Sequence, residues 1–349
     1  MTSTGGTLLH DGPVAQTSEQ GTATSGERTL LYSEALVEGL REVLDADPTA
    51  YLIGAYFLGV TRHGPLLADL FAAYPDRVYF PPIAEAGTVG LGIGAAISGM
   101  RPIVDIGTAS FVFQAFSQVV NEAANIHHMT GGQTRVPLIL HGLHGIRGGG
   151  AAQHSHSPQA MFWNTPGVRI MLPASPYDVK GLIWSAAHSD DPMIWLDHVK
   201  LFDTSGPVPE GQYAVPFGKA NIARSGSDVT VVATSLMVVR ALAAAEDLAA
   251  EGINVEVIDP RTLVPFDSET VLESVGRTGR LVVVDECHLR CGVAAEISAI
   301  VAEHAFDSLR APIIRVATAD VPIPFSPVLE EAVEPTHQRI VAGIRRALA

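Results

Sequence analysis

The chain has 349 residues, of which 47% are hydrophobic and 17% charged, and its formal net charge at pH 7 is −15. This length predicts two domains plus a tail, and the negative charge argues against nucleic acid or an anionic membrane as the main partner. Only two cysteines occur, Cys287 and Cys291. They supply neither a disulfide framework nor a complete metal site, so a reducing cytoplasm is the expected compartment. The sequence shows no secretion signal and no apolar run long enough to span a bilayer.

The first part of the chain predicts a tail followed by an α/β domain. Residues 1–27 are rich in Gly, Ser and Thr without an apolar period, which predicts a disordered tail. Leu36, Leu40, Val43 and Leu44 then follow helical spacing. The further predicted helices are 87–99, 116–127 and one starting near 175, and the predicted strands are 51–53, 102–106, 137–140, 168–172 and 193–196.

Polar and turn residues at 203–211 predict a linker before a second α/β unit. The predicted strands of this unit are 229–233, 255–258, 281–284 and 313–316, and its helices are 238–250, 294–304 and 340–348. Apolar strands that alternate with helices imply parallel sheets covered on both faces. We therefore expect domains at 28–205 and 219–349, joined by a linker at 206–218.

The segment PIAEAGTVGLGIG carries the most informative residue, Glu85. A carboxylate among small apolar residues is poorly hydrated and is suited to general acid or base catalysis. A Glu that pairs with an Arg or caps a helix is the structural alternative. The glycines at 90, 92 and 94 superficially resemble a dinucleotide fingerprint, but no strand directly precedes them, which favours a closely packed helix.

Four histidines fall in one glycine-rich segment, HGLHGIRGGGAAQHSHS. His141 and His144 form an HxxH, and His154 and His156 form an HxH. Two such pairs could bind zinc and would then suggest a zinc hydrolase. We favour a loop that approaches a ligand closely, with histidines available for proton transfer and no metal site, because no acidic residue or cysteine is nearby. The two cysteines are expected to be an ordinary buried pair.

Several segments in register resemble the beta subunits of thiamine-diphosphate-dependent 2-oxo acid dehydrogenases of the pyruvate and branched-chain type, in the transketolase-like superfamily. They include PIAEAGTVGLGIGAAISGMRPIVDI, QVVNEAANIHHMTGGQ, GGGAAQHS, VEVIDPRTLVPFD and DVPIPFSPVLEEAV, and the resemblance covers almost the whole chain from about Thr29. It implies a pyrimidine-binding parallel-sheet domain followed by a transketolase C-terminal-like α/β domain.

The resemblance also implies roles for single residues. Glu85 matches the glutamate that hydrogen-bonds the aminopyrimidine ring of thiamine diphosphate and promotes activation of the cofactor. Phe111 matches an aromatic residue that stacks on this ring, and Gln114 a residue that lines the same pocket. His154 matches the active-site histidine that assists proton transfer and acyl handover.

A missing motif implies a partner subunit. Members of the superfamily hold the diphosphate and Mg²⁺ with a GDG sequence followed by an Asn, and this chain has no GDG. The resemblance therefore implies an alpha subunit that carries the motif, in an α2β2 assembly that completes the cofactor site. It also allows a structural monovalent cation, and an acyl-carrier or lipoyl domain as the acceptor partner.

Three departures from the family pattern concern the substrate. Ala55, Tyr56 and Phe57 stand where the family has an acidic pair, the RGPxG loop is replaced by residues 141–145, and His156 replaces a Gln. With His141, His144 and Arg147, four cationic or titratable side chains are expected near the substrate, which would also suit a sugar phosphate. A split transketolase-like enzyme that transfers a glycolyl unit from a ketose phosphate is thus the alternative to a 2-oxo acid enzyme, and a non-catalytic assembly subunit is a third hypothesis.

Overall fold

The computed structural model describes residues 28–349, so the tail predicted at 1–27 lies outside the described residues. The described chain forms a seven-stranded sheet, a five-stranded sheet and a two-stranded ribbon, with helices packed against the sheets. The α/β fold that the sequence predicts is confirmed. In this part of the chain, no helix is long and apolar enough to cross a membrane.

The seven-stranded sheet has the order β12-β6-β7-β5-β4-β2-β3. Neighbouring strands run parallel except β12, which pairs antiparallel with β6. The strands are β2 (Ala50–Ile53), β3 (Val78–Tyr79), β4 (Arg101–Thr108), β5 (Ile139–His144), β6 (Arg169–Met171), β7 (Met193–His198) and β12 (Thr262–Val264). The helices in this part of the sequence are α1 (Tyr32–Ala46), α2 (Pro65–Ala73), α3 (Glu85–Ile97), α4 (Ile126–Met129), α5 (Gln159–Trp163) and α6 (Pro176–Ala187).

The five-stranded sheet has the order β14-β13-β10-β11-β9, with only β9 antiparallel to its neighbour among these described strands. Its strands are β9 (Asn221–Arg224), β10 (Val229–Ala233), β11 (Val255–Asp259), β13 (Leu281–His288) and β14 (Ile314–Thr318). The helices are α7 (Leu236–Ala249), α8 (Ser268–Thr278), α9 (Val293–His304), α10 (Pro327–Val333) and α11 (His337–Leu348).

Both sheets form because their central strands are mostly apolar and are buried on both faces. All five residues of β10 are buried, and so are all six of β5. Each fully buried aliphatic side chain contributes about 1.5–3 kcal/mol, which outweighs the modest β-propensity differences among residues. Helix ends are defined by side-chain caps at several positions: Ser175 accepts from the Asp178 amide at 3.1 Å, a contact worth about 1 kcal/mol.

The small-residue helix α3 packs directly on β4. A Cβ atom at Gly92 would lie 2.5 Å from Cγ2 of Val104, so only glycine permits this approach. Gly90 and Gly94 have open space at the same position. The helix thus presents one close-packed face to the sheet, as the sequence predicts, and this packing holds its first residue, Glu85, in place.

The predicted linker contains regular structure: Ser205–Val208 forms strand β8, which pairs antiparallel with β1 (Arg28–Leu31). The prediction of one helix at 116–127 is wrong, because this stretch is divided into a π-helical turn (Gln118–Ala123) and the short helix α4, and a 3-10 segment (Ala109–Ala115) precedes it. The wide turn is visible in the backbone, because the amide of Ala124 donates to the carbonyl of Val119, five residues earlier, at 3.0 Å.

Candidate active site

A cleft of about 700 Å³ opens where β2, β4 and β5 end. The carboxyl ends of parallel strands are the usual place for a ligand site in open α/β sheets. The lining combines an apolar rim, two glycine-rich turns and five titratable side chains. The lining residues that carry the argument below are Tyr56, Glu85, Asp105, Phe111, Arg147 and His154.

Glu85 lies on the wall of the cleft as the first residue of α3. Its side chain is partly buried, and Thr88, on the following turn, lines the same wall. A carboxylate in the first turn of a helix is stabilised by the unpaired amides there, typically by about 0.3–1 kcal/mol. The packing of α3 on β4 therefore fixes a solvent-accessible carboxylate at a defined point of the cleft.

Phe111 and His154 meet on the cleft wall. Their ring centroids are 5.4 Å apart and the rings are nearly perpendicular, at 76°. Phe111 belongs to the 3-10 segment that follows β4, and His154 ends a short 3-10 turn (Ala152–His154). His154 is exposed. An edge-to-face contact orients the imidazole while leaving it accessible for proton transfer.

Asp105 shapes the floor of the cleft. One carboxylate oxygen accepts the backbone amide of Tyr56, and the other accepts the amide of Gly107 at 2.9 Å. The backbone of Gly54 passes so close that a Cβ atom there would lie 2.4 Å from the Asp105 carbonyl oxygen. The ends of β2 and β4 are thus held together by a single buried side chain.

The glycine-rich loop after β5 forms another wall of the cleft. Gly148 and Gly149 have positive φ angles of 89° and 82°, which L-residues rarely adopt. The amides of Gly149 and Gly150 donate to the two carboxylate oxygens of Glu330, at 2.7 and 3.1 Å. Glu330 is 2% exposed and comes from α10, so the second half of the chain holds this loop in position.

Arg147 is the only Lys or Arg among the described residues that line the cleft. Its Nη2 donates to the carbonyl of Leu143 at 3.0 Å, while its buried Nε has no hydrogen-bond partner. Burial lowers the pKa of the guanidinium, yet arginine remains charged at neutral pH. A guanidinium on the wall of a cleft favours an anionic group on the ligand.

His141 and His144 lie beneath the cleft. The prediction that they sit in a loop is wrong, because β5 continues through both of them and buries each to 1% exposure or less. His141 contacts the carboxylates of Asp105 and Asp197 with its two ring nitrogens, and His144 contacts the hydroxyls of Ser157 and Ser235. Neither residue lines the cleft, so neither is part of the proposed substrate site.

A buried ion pair joins this region to the second sheet. Nε2 of His198 lies 3.2 Å from Oε2 of Glu286, whose other oxygen accepts the amide of Ile146 at 3.2 Å. Burial raises the pKa of Glu286, but attraction to His198 outweighs it and lowers the pKa to about 2. Burial lowers the pKa of the adjacent His144 to about 3, with repulsion by His198 adding to the effect. The start of the glycine loop is therefore also fixed from β13.

The remaining predicted site residues stand apart from the cleft. Gln114 is exposed and does not line it, and His156 is partly buried with its ring against Phe113, at a centroid distance of 5.4 Å. The expectation of a buried cysteine pair is half wrong: Cys287 is buried, but Cys291 is exposed, because the chain turns after β13 with a positive φ of 53° at that residue. In residues 28–349, no group of three or more His, Cys, Asp or Glu is placed to hold a metal ion.

Sequence reasoning missed Asp105 and Glu330. Asp105 was visible only as part of a strand, and Glu330 is one acidic residue among many on a helix. Both act through backbone amides that are remote in sequence, 49 and 181 positions away, so no local pattern marks them. The one available signal was the string LEEAV inside a family-like segment.

The comparisons with known proteins agree with this arrangement. The model of the transketolase pyrimidine-binding domain matches residues 28–202, and that of the transketolase C-terminal domain matches residues 218–340. Among solved structures, the chain is similar to a protein described as "Split gene transketolase, inactive beta4 tetramer", with a TM-score of 0.75, 24% identity, and 91% of this chain and 98% of that chain covered. That likeness shows the fold.

Sequence relatives are more similar. The beta subunit of acetoin:2,6-dichlorophenolindophenol oxidoreductase from Cupriavidus necator is 41% identical, covering 92% of this chain and 98% of the relative. The beta subunit of the pyruvate dehydrogenase E1 component from Rickettsia felis is 40% identical over 90% and 96% of the two chains. A mitochondrial pyruvate dehydrogenase E1 subunit beta-1 from Arabidopsis thaliana is 39% identical over 93% and 90%. The chain belongs to the transketolase-like family of thiamine-diphosphate-dependent 2-oxo acid dehydrogenase beta subunits.

Proposed function

We propose that this chain supplies one half of an active site that cleaves the bond next to the carbonyl of pyruvate or a related small 2-oxo acid and passes the acyl unit to a lipoyl or other carrier. The observation that carries the proposal is the cleft that brings Glu85, Phe111 and His154 together at the strand ends. The relatives named for pyruvate and acetoin, at 40% and 41% identity, support a small donor.

The residues of the cleft fit one part of thiamine diphosphate. Glu85 and Phe111 offer a carboxylate and an aromatic face for the aminopyrimidine ring. For the diphosphate and Mg²⁺ the fit fails on this chain alone: among the described lining residues the only carboxylates are Glu85 and Asp105, and Asp105 is already occupied by backbone amides and His141. When bound, thiamine diphosphate supplies the electron sink for carbon–carbon cleavage.

The side chains of this chain would bind the donor and move protons. Glu85 would exchange a proton at a carboxylate oxygen, and His154 would exchange one at a ring nitrogen on the opposite wall. Arg147 would pair with the carboxylate of a 2-oxo acid through its guanidinium, which lines the cleft. The glycine loop would let the backbone approach the donor closely, which helps exclude water.

An alpha subunit that carries the GDG motif would complete the site in an α2β2 assembly, supplying the diphosphate and Mg²⁺ contacts; a structural monovalent cation also belongs to this proposal. Exposed apolar side chains at the rim of the cleft support a covering partner: Val60 is 98% exposed, Ile83 85% and Phe80 59%. We further propose that the domains are 28–205 and 219–349, in agreement with the extents of the two family models, and that the enzyme is cytoplasmic.

A second candidate is a split transketolase-like enzyme that uses a ketose phosphate. The guanidinium of Arg147 on the cleft wall favours an anionic ligand, and it can pair with a phosphate as well as with a carboxylate. Co-expression with the native alpha subunit, followed by assays with pyruvate, branched 2-oxo acids, acetoin and xylulose 5-phosphate, separates the two. We expect turnover of a small 2-oxo acid that depends on thiamine diphosphate and Mg²⁺. Turnover of acetoin or xylulose 5-phosphate without turnover of any 2-oxo acid would overturn the proposal.

A further inference from the structure

His141 occupies an unusual position between two buried carboxylates. Its Nδ1 lies 3.0 Å from Oδ1 of Asp105, and its Nε2 lies 3.3 Å from Oδ2 of Asp197. All three side chains have zero exposure. Two ionised carboxylates can only accept, so the geometry is satisfied when both ring nitrogens carry a proton, which is the imidazolium form. Two buried negative charges also need a compensating positive charge.

Each carboxylate holds a different part of the structure. Asp105 anchors the amides of Tyr56 and Gly107, which form the floor of the cleft. Asp197 accepts the hydroxyl of Tyr32 and the indole Nε1 of Trp195, the latter at 2.9 Å. His141 therefore links the floor of the cleft to the packed core between β7 and α1.

Two aromatic rings pack against the imidazole. The ring of Phe57 is stacked on it at a centroid distance of 5.1 Å, and Trp195 is 4.3 Å away. These contacts exclude water and restrict rotation of the ring.

We propose that His141 is a positioning residue for the cofactor cleft: as a buried imidazolium it fixes the carboxylate of Asp105 and, through it, the backbone of Tyr56 and Gly107. This inference rests on the proposed function in one respect, which is the identity of the ligand that the cleft binds. The placement of His141 between Asp105 and Asp197 is independent of that function.

The stabilisation that His141 provides depends on pH, because it requires the charged form of the ring. Burial lowers the pKa of His141, but the hydrogen bonds with Asp105 and Asp197 outweigh it and raise the pKa to about 9. A folded-state pKa above the ordinary histidine value of 6.5 means that this stabilisation is fully present below pH 6.5 and is lost as the pH rises through about 9. Asp105 and Asp197 are the charged groups that face the ring, with Tyr32 behind Asp197.

A fluorescence titration of the full chain tests the charge. In a background in which Trp163 and Trp184 are replaced by Phe, Trp195 is the only indole, and an adjacent imidazolium quenches its emission. We expect the emission to rise with a midpoint near pH 9, relative to His141→Gln in the same background. Asp197→Asn removes one negative charge, so the midpoint should move to lower pH. A midpoint near 6.5, or no difference from His141→Gln, would overturn the inference.

Cofactor kinetics of the complex with its alpha partner test the positioning role. His141→Gln should raise the apparent KM for thiamine diphosphate at least 10-fold while kcat at saturating cofactor changes much less. His304→Gln, an exposed change on α9, is the matched control and should leave both values unchanged. An unchanged KM in a folded His141→Gln complex would overturn the inference. If no donor is turned over by the unmutated complex, the proposed function fails, while the titration still decides the charge of His141.

Discussion

The amide of Gly149 donates a 2.7 Å hydrogen bond to the carboxylate of Glu330, which lies 181 positions later in the chain. The second hydrogen bond, from Gly150, makes this a two-oxygen clamp on a loop of unusual backbone geometry. The wall of the cleft is therefore set from α10, outside the sheet that carries the other site residues. The position of the glycine loop depends on the packing of the two halves of the chain.

Glu330→Gln should lower kcat/KM about 10- to 100-fold, because the neutral amide cannot accept at both atoms and one buried glycine amide loses its charged acceptor, at a cost of about 1.5–3 kcal/mol. Steady-state kinetics of the reconstituted complex measure the effect. Glu331→Gln is the matched control, since Glu331 is the exposed neighbour on the same helix. Equal activities for the two variants would show that the clamp has no role in catalysis.

His154→Ala should impair turnover while leaving affinity for thiamine diphosphate largely intact. The imidazole is exposed on the cleft wall, held by the edge of Phe111, and its loss removes proton transfer without unpacking a core. General acid or base help typically contributes about 10²–10⁴-fold. Calorimetric titration of the complex with cofactor, beside kcat, separates the two effects. A parallel loss of binding and activity would instead indicate a structural histidine.

Arg147→Ala should raise the KM for the anionic donor about 10- to 100-fold, as expected for the loss of one hydrogen bond to a charged group. If a ketose phosphate is the donor, the increase should be much larger for that sugar than for pyruvate. KM values of the variant and the unmutated complex for pyruvate, acetoin and xylulose 5-phosphate measure these increases directly. Unchanged kinetics with every donor, in a complex that assembles normally, would show that Arg147 does not contact the substrate and would remove the sugar-phosphate alternative.

The isolated chain should bind thiamine diphosphate weakly and without dependence on Mg²⁺. Its cleft offers Glu85 and Phe111 for the ring, but no free pair of carboxylates among the described lining residues for a divalent cation. Titration calorimetry on the purified chain, with and without Mg²⁺, measures this. Tight, magnesium-dependent binding in the absence of a partner would contradict the half-site arrangement.

The sequence predicted the two α/β units because the signals were local. Strand β10 was predicted with its observed bounds, since four of its five residues are apolar and polar residues bound it on both sides. The extension of β5 through His144 was missed because His141 and Gly142 interrupt the apolar run. Burial of a histidine there depends on Asp105 and Asp197, which come from two neighbouring strands, and such pairing is not visible from the residues of β5 alone.

The residues of the candidate site also differ in how well the sequence alone predicted their positions. Glu85, Phe111 and His154 lie within distinctive family-like strings, and the structure brings all three to the cleft. Gln114 follows Phe111 by three residues but is exposed and does not line the cleft, although side chains three positions apart share a face in a 3-10 segment. Which face a short turn presents depends on tertiary packing, so spacing alone could not decide it.

We propose that Glu85 is the proton-exchanging carboxylate of a thiamine-diphosphate site. The most direct measurement is kcat of the complex that carries Glu85→Gln, at saturating cofactor, with circular dichroism and assembly state as controls for folding. The amide keeps the size and hydrogen-bonding capacity of the side chain but cannot exchange the proton. We expect kcat of a correctly assembled complex to decrease by about 10²–10⁴-fold. Wild-type turnover by that complex would contradict this role of Glu85.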